Sequence, residues 1–161
     1  PVGIGSGCGV ILGVTGGVCV AVLRRLQQGH NRVDMESIKK SGVRGDDGIK
    51  VLTYNYNGRE IKAAVVNGLA NADKVLQQIK NHEAEYDFVE VMACRRGCIM
   101  GGGQPVNAGP RTRKARMKGL YDTDVNTQIK KSNENPMILS LYDTLLKGKE
   151  HELLHRNFSG K

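Results

Sequence analysis

The sequence predicts a mixed α/β fold, with a mixed sheet flanked by helices and an all-helical C-terminal tail. Three observations carry this expectation. Residues 50–56 and 59–66 are alternating or apolar runs that flank Asn57-Gly58, the strongest two-residue hairpin turn. An amphipathic helical pattern over 71–80 is followed by a short strand pattern over 86–92. From about Gly109 onward only helical patterns remain.

Taken in order, residues 1–17 hold seven glycines, each adding backbone entropy to be lost on folding, so an open loop is expected there. Residues 18–28 read as a helix, with Val18, Ala21, Val22 and Leu26 on one face and Gly29 ending it. Thr15-Gly16-Gly17 stands at its start, where free N–H groups could meet an anion. Residues 31–48 are polar and glycine-rich; 34–40 fits one short helical turn and 44–48 a turn-rich loop. The helix over 71–80 points Val75, Leu76 and Ile79 inward and takes Asn71 as its N-cap. The strand over 86–92 runs straight into Cys94. A second glycine-rich loop, 100–110, contains Gly101-Gly102-Gly103. Helices are then expected over 113–121, over 136–146 with Pro136 in the first turn and Gly148 closing it, and over 151–158. Residues 126–132 fit no single pattern. The expected organisation is a unit over 1–108 and a helical tail over 109–161.

Composition bounds the function. A chain of 161 residues allows one domain and excludes a large multi-domain enzyme. It has five Tyr, two Phe and no Trp, so few large side chains are available to fill a core. The first residue is Pro, which raises the expectation of a processed chain or a piece of a longer one. Net charge is +8, and residues 101–161 carry 11 Lys and Arg against 6 Asp and Glu. Arg111, Arg113, Lys114, Arg116 and Lys118 form an acid-free run. No stacking aromatics lie near it, so it reads as a solvated helix face or a docking surface for an acidic protein, with no nucleic-acid partner expected. No apolar stretch reaches 18 residues, so no membrane insertion is expected. Residues 10–23 are apolar but interrupted by Gly13, Thr15, Gly16 and Gly17 and lack a basic leader. Without an export signal, Cys8, Cys19, Cys94 and Cys98 read as free thiols or metal ligands rather than disulfides.

The sharpest chemical motif is Cys94-Arg-Arg-Gly-Cys98. Two thiols four residues apart, with a glycine between, can bend toward one iron–sulfur cluster or one metal ion. A cubane cluster takes four cysteine ligands, and this motif supplies two. Spacing alone equally fits a buried pair of structural cysteines. His151-Glu-Leu-Leu-His155 matches the H-E-x-x-H pattern of zinc proteases. No His, Asp, Glu or Cys follows it to act as third ligand, so a tail docking through Leu153 and Leu154 is the better reading. The glycine loop over 3–17 is neither a dinucleotide fingerprint, since no strand precedes it, nor a phosphate loop, since no Gly-Lys-Ser/Thr occurs.

Three motifs together resemble the iron-only (FeFe) hydrogenases. Ser6-Gly-Cys-Gly-Val-Ile-Leu-Gly-Val-Thr-Gly-Gly-Val18 is similar to the family's S-G-x-G-x-I-F-G-x-T-G-G-V loop and helix start. Val65-Val-Asn-Gly-Leu-Ala-Asn-Ala72 resembles its V-x-x-G-L-x-N-A turn. Glu90-Val-Met-Ala-Cys-Arg-Arg-Gly-Cys-Ile-Met-Gly-Gly-Gly-Gln-Pro105 resembles its last cluster motif, E-V-M-A-C-P-G-G-C-x-x-G-G-G-Q-P. Beyond Arg111, Gly119-Leu-Tyr-Asp122, Lys131-Ser-Asn-Glu-Asn-Pro136, Leu141-Tyr142 and His151–His155 resemble the small-subunit segment.

The resemblance implies one lobe of the hydrogenase fold with a small-subunit-like tail. It implies reversible reduction of protons to hydrogen at an H-cluster: a 4Fe–4S cluster joined to a diiron subcluster with CO, CN and a bridging dithiolate. Cys94 would ligate the 4Fe–4S part. Cys98 would ligate it too and bridge to the diiron part, and Met92 would pack near the latter. Gly7, Thr15, Gly16, Gly17, Gly101, Gly102, Gly103 and Gln104 would line the cofactor. Implied partners are the N-terminal lobe, in the same chain or another, and ferredoxin or NAD(P)-linked electron-transfer subunits. The implied location is cytoplasmic, or organellar in an anaerobic eukaryote. The family's earlier motifs, T-S-C-C-P-x-W and M-P-C-x-x-K, are absent, so this chain supplies half a cage. Cys8 and Cys19 match no ligand position and are expected as buried thiols. Arg95-Arg96 stands where the family has Pro-Gly, beside an anionic cluster. A hydrogenase-like iron–sulfur sensor or assembly protein without hydrogenase activity is the alternative.

Overall fold

The computed structural model describes residues 3–27, 48–106 and 109–156. The turn expected over 34–40, residues 44–47 and residues 157–158 of the last expected helix lie outside them, and that helix ends at Leu154, short of its expected 151–158. A three-stranded sheet sits at the centre, in the order β1 (Ile49–Tyr56), β2 (Arg59–Asn67), β3 (Phe88–Met92). Strands β1 and β2 are antiparallel and pair from Ile49 with Val66 to Tyr56 with Arg59. The predicted turn joins them, with Asn57 and Gly58 both at positive φ, 51° and 80°, as a tight twisted hairpin requires. Strand β3 pairs parallel to β2, Val65 opposite Glu90, after a crossover through helix α3 (Leu69–Lys80). As the middle strand, β2 is buried on both faces from Ala63 to Asn67.

The two faces carry two cores. On one, Leu52, Ala63 and Val65 meet Ile11, Val14, Cys19, Val20, Leu23 and Ile99. On the other, Ala64 and Val66 meet Ala72 and Val75 of α3. Helix α3 starts after Gly68 (φ 88°), not at Asn71; the Asn71 amide instead donates to the Asn67 carbonyl at 2.8 Å. Leu76 and Ile79, expected inward, are 58% and 38% exposed. A three-stranded sheet covers only one narrow stripe of the helix, and Ala72 and Val75 fill it.

The glycine-rich start is not an open loop. Residues Gly7–Ile11 form a short helix, α1, capped by Ser6, whose Oγ accepts the Gly9 N–H at 3.3 Å. Glycine in a helix costs roughly 1 kcal/mol relative to alanine. Close packing offsets that cost here. A side chain on Gly7 would collide with the Asp124 carboxylate, and one on Gly17 with the Ile11 carbonyl. Helix α2 (Gly17–Leu26) follows, but its buried face is Cys19, Val20, Leu23 and Arg24 rather than the predicted one; Val18 is 37% exposed. The rotation has one cause: an arginine, which apolar periodicity assigns to the surface, is wholly buried.

The tail comprises α4 (Pro110–Asn126), a 3-10 turn at Ser132–Glu134, α5 (Pro136–Asp143) and α6 (Glu150–Leu154). Helix α4 is longer than expected because Pro110 serves at its first turn. Met117, Leu120 and Tyr121 of α4 pack on the first core. Arg24 donates from both Nη1 and Nη2 to Asp124 at 2.6 Å, with both side chains 0% exposed. Further bonds join residues 4–8 to the tail: Gly7 N–H to the Ile129 carbonyl at 2.8 Å, Cys8 N–H to Lys130 at 3.1 Å, and Asn135 Nδ2 to the Ile4 carbonyl at 2.8 Å. Lys131 Nζ caps the end of α2 at the Gln27 carbonyl, 2.8 Å away. Helices α5 and α6 contain no buried residue.

Candidate metal centre

Strand β3 carries the chain out of the core into the cysteine motif. Its inward residues are Glu90 and Met92, and the Met92 carbonyl accepts the Gly68 N–H at 2.8 Å. Beyond Met92 the chain turns: Gly97 N–H donates to the Cys94 carbonyl at 2.9 Å, and a single 3-10 turn spans Cys98–Met100. Cys94 and Cys98 are both free thiols and both exposed, so they are not a buried structural pair. A Cβ on Gly101 would stand 3.2 Å from Cys94 Sγ and 3.6 Å from the Cys98 Cα, so its absence leaves the thiol room. Gly102 and Gly103 border open space, and Gly103 has φ +84°. Among the described residues no three His, Cys, Asp or Glu side chains gather as a metal cage. The chemistry of the donor set is therefore two outward-facing thiols on one turn.

The turn rests on the loop between α1 and α2. Gly97 has φ +75°, and a Cβ there would lie 2.9 Å from the Gly13 carbonyl and 3.3 Å from the Thr15 nitrogen. Ile99 N–H donates to the same Gly13 carbonyl at 3.3 Å. Thr15 is 3% exposed and its Oγ1 has no hydrogen-bond partner among the described residues. Cys98 lines a cleft of about 480 Å³ with Val10, Gly13, Gln104, Arg116 and Leu120. Arg116 of α4 reaches back, donating from Nη1 to the Ile99 carbonyl at 2.8 Å and from Nη2 to the Pro105 carbonyl at 3.3 Å. Part of the basic run is thus internal bracing, and Lys118 is paired with Asp122 on its own helix.

The N-terminus of α2 does meet an anion, and that anion is Glu90. Its Oε1 accepts the Gly16 N–H at 2.8 Å and its Oε2 the Cys19 N–H at 2.7 Å. Glu90 is 4% exposed; burial pushes its carboxyl up, and the backbone N–H groups of Cys19, Gly16 and Val18 oppose that. Gly7, Gly16 and Gly17 each meet a neighbour within this chain. Gly7 fits Asp124, Gly17 fits Ile11, and the Gly16 N–H is engaged by Glu90. Thr15, Gly101, Gly102, Gly103 and Gln104 lie around the cysteine turn.

The remaining motifs separate cleanly. Cys8 and Cys19 are buried, as expected. Burial, with the Glu90 carboxylate beside it, pushes the Cys19 thiol up to about 12. Burial also raises Cys8, against the pull of Arg24. Arg95 and Arg96 are exposed, and Glu90 is engaged elsewhere. Arg95 lies along Gly68, 3.8 Å from where a Cβ would stand, and Arg96 shares a cleft of about 100 Å³ with Met100 and Arg113. His151 and His155 lie on the exposed end of α6 with their Nδ1 atoms 2.7 Å apart, and no third metal-binding side chain joins them among the described residues. Sequence reasoning missed Gly13, Arg116 and Glu90. Only Glu90 left a signal: period-2 counting back from Met92 along β3 puts it on the inward face.

Comparison with known proteins places these features together. Residues 1–102 match the model of the iron only hydrogenase large subunit, C-terminal domain, and residues 110–161 the iron hydrogenase small subunit. Iron hydrogenase 1 of Clostridium pasteurianum is 36% identical over 160 aligned positions, covering 93% of this chain and 28% of that protein. A subunit of the NADP-reducing hydrogenase of Solidesulfovibrio fructosivorans is also 36% identical, covering 98% of this chain and 28% of that protein. A variant of the [FeFe]-hydrogenase of Chlamydomonas reinhardtii superposes with a TM-score of 0.63 at 33% identity, over 96% of this chain and 47% of that one. A protein of Danio rerio named as a cytosolic Fe-S cluster assembly factor is more distant, at 26% identity. The chain spans little more than a quarter of the length of the curated hydrogenases it matches.

Proposed function

Because the chain belongs to the iron-only hydrogenase family, we propose that it forms one lobe of a hydrogenase that interconverts two protons and two electrons with molecular hydrogen. The observation that carries this reading is the pair of exposed thiols, Cys94 and Cys98, on a turn braced from beneath by Gly13–Thr15 and from the side by Arg116. Two outward thiols, an uncrowded Cys94 Sγ above Gly101 and a buried Thr15 hydroxyl without a partner among the described residues fit half of a cluster cage. The other two cysteines belong to the rest of the enzyme.

When bound, the H-cluster supplies electron storage and the iron site at which protons are reduced. This chain's residues hold and shield it. Cys94 and Cys98 would hold it as thiolate ligands. Thr15, with its buried hydroxyl, would supply an O–H donor beside the cysteine turn, and Met92, buried at the end of β3, would exclude water behind the ligands. Gly101–Gly103 and Gln104 let backbone and amide approach the cofactor without a side-chain clash. Electrons would come from ferredoxin or from an NAD(P)-linked subunit, and the name of the Solidesulfovibrio relative supports the second of these. No helix among the described residues is long and apolar enough to cross a membrane, and the proposed setting is cytoplasmic.

The hydrogenase reading is favoured over an assembly-factor reading by 36% identity over 93% of this chain against 25–32% over 61–78% for the assembly factors, and by the small-subunit match of the tail. Anaerobic reconstitution of the complete enzyme tests it through iron and acid-labile sulfide content and hydrogen evolution with a reduced ferredoxin. Cys94→Ala and Cys98→Ala are expected to remove cluster iron and hydrogen evolution together. Full iron content in both variants refutes the ligand assignment; a full cluster without hydrogen evolution in the unaltered enzyme favours the assembly or sensor reading.

A further inference from the structure

We infer that Glu90 is a positioning residue for the cysteine turn: its buried carboxylate clamps the Gly13–Gly16 loop to strand β3 and so holds the surface on which Gly97 and Cys98 rest. The inference rests on the assignment of Cys94 and Cys98 as cluster ligands. The path is short and continuous. Glu90 stands four residues before Cys94 on the strand that delivers it. Both carboxylate oxygens accept backbone N–H groups at the start of α2, from Gly16 at 2.8 Å and Cys19 at 2.7 Å. From Gly16 the chain runs back through Thr15 to Gly13, whose carbonyl accepts Ile99 N–H and lies against Gly97. One strand therefore carries a ligand at its end and, through Glu90, the support of the other ligand.

The chemistry demands a carboxylate rather than an amide. Charge-assisted bonds to backbone N–H groups in a dry site are about twice as strong as neutral ones. Glutamine at this position keeps one acceptor but turns an NH₂ toward the second N–H, leaving two donors face to face. The loop then shifts to relieve them, and Gly97 has no slack, since a single added carbon there would already approach the Gly13 carbonyl to 2.9 Å.

The test uses Glu90→Gln in the complete enzyme, with Val75→Ala as the control. Val75 fills the core on the opposite sheet face, away from the turn. Iron per chain, the EPR spectrum of the reduced 4Fe–4S cluster, its midpoint potential and the thermal midpoint are read for each. Groups that orient metal ligands typically cost 10- to 100-fold in affinity, so about a 10-fold fall in cluster affinity is expected for Glu90→Gln, with an altered EPR spectrum and potential. Glu90→Asp, which keeps the charge with a shorter reach, is expected to recover part of the affinity, and it carries the test if Glu90→Gln does not fold. Wild-type iron, EPR and potential in a folded Glu90→Gln or Glu90→Asp protein overturn the inference. Iron loss in Val75→Ala matching that in the Glu90 variants at equal thermal midpoint also overturns it, by showing general destabilisation. If the unaltered enzyme takes up no cluster, the ligand assignment itself falls, and the inference with it.

Discussion

Replacing Asp124 by Asn should unlatch the tail from the lobe. In the native protein both Asp124 oxygens accept from Arg24, Oδ1 from Nη1 and Oδ2 from Nη2, each at 2.6 Å, with both side chains 0% exposed. Asn keeps one acceptor, turns an NH₂ against Nη2 and removes the charge of the buried pair. Breaking one side of such a pair costs about 3–5 kcal/mol. With a urea m-value of about 2 kcal/mol per M, the unfolding midpoint should fall by about 1.5–2.5 M. Urea unfolding followed by circular dichroism measures this. The control is Arg24→Met with Asp124→Leu, which removes both charges at similar volume and should restore most of the loss. A midpoint shift below about 0.5 M for Asp124→Asn, or a double variant no better than the single, refutes the reasoning, because the broken Arg24–Asp124 pair would then not be the cause. Helix α4 also carries Arg116, so the latch and the bracing of the cysteine turn should loosen together.

Four further outcomes are expected. Gly97→Ala places a side chain at φ +75° and 2.9 Å from the Gly13 carbonyl, and should cost at least about 1–3 kcal/mol of backbone strain, measured by the same unfolding assay. In cluster-free protein at pH 8, iodoacetamide should label Cys94 and Cys98 rapidly and leave Cys19 unmodified until unfolding; mass spectrometry that finds Cys19 labelled first would contradict its burial and its raised thiol. The Glu90 carboxyl is raised in the folded state, so the folded protein binds its proton more tightly than the unfolded chain. Its contribution should therefore make stability fall as pH rises from the ordinary glutamate range through the raised value, and that slope should vanish in Glu90→Gln. Arg95→Pro with Arg96→Gly removes two cations next to the cluster ligands, and the midpoint potential of the complete enzyme should move downward; an unchanged or higher value would mean that both arginines act only on solvent.

Local signals in the sequence carried much of the architecture. Asn57-Gly58 specifies its hairpin because a tight turn needs positive φ at both positions, and few other pairs tolerate that. Pro136 marks a helix start, since a missing N–H costs nothing in a first turn, whereas Pro110, read as loop, starts a helix too. The candidate centre was legible through the resemblance of residues 90–105 to a family motif, since the cysteine spacing alone fits a buried structural pair equally well. What escaped was decided by partners far along the chain. The anion at the start of α2 is a glutamate 71 to 74 positions away, and the buried arginine that turns the face of α2 is made tolerable by an aspartate 100 positions away. Helix α1 forms among glycines because α4 lies against Gly7. Periodicity weighs each side chain by its own hydropathy. A buried charge is stable only through its counter-charge, and only the tertiary structure brings the two together.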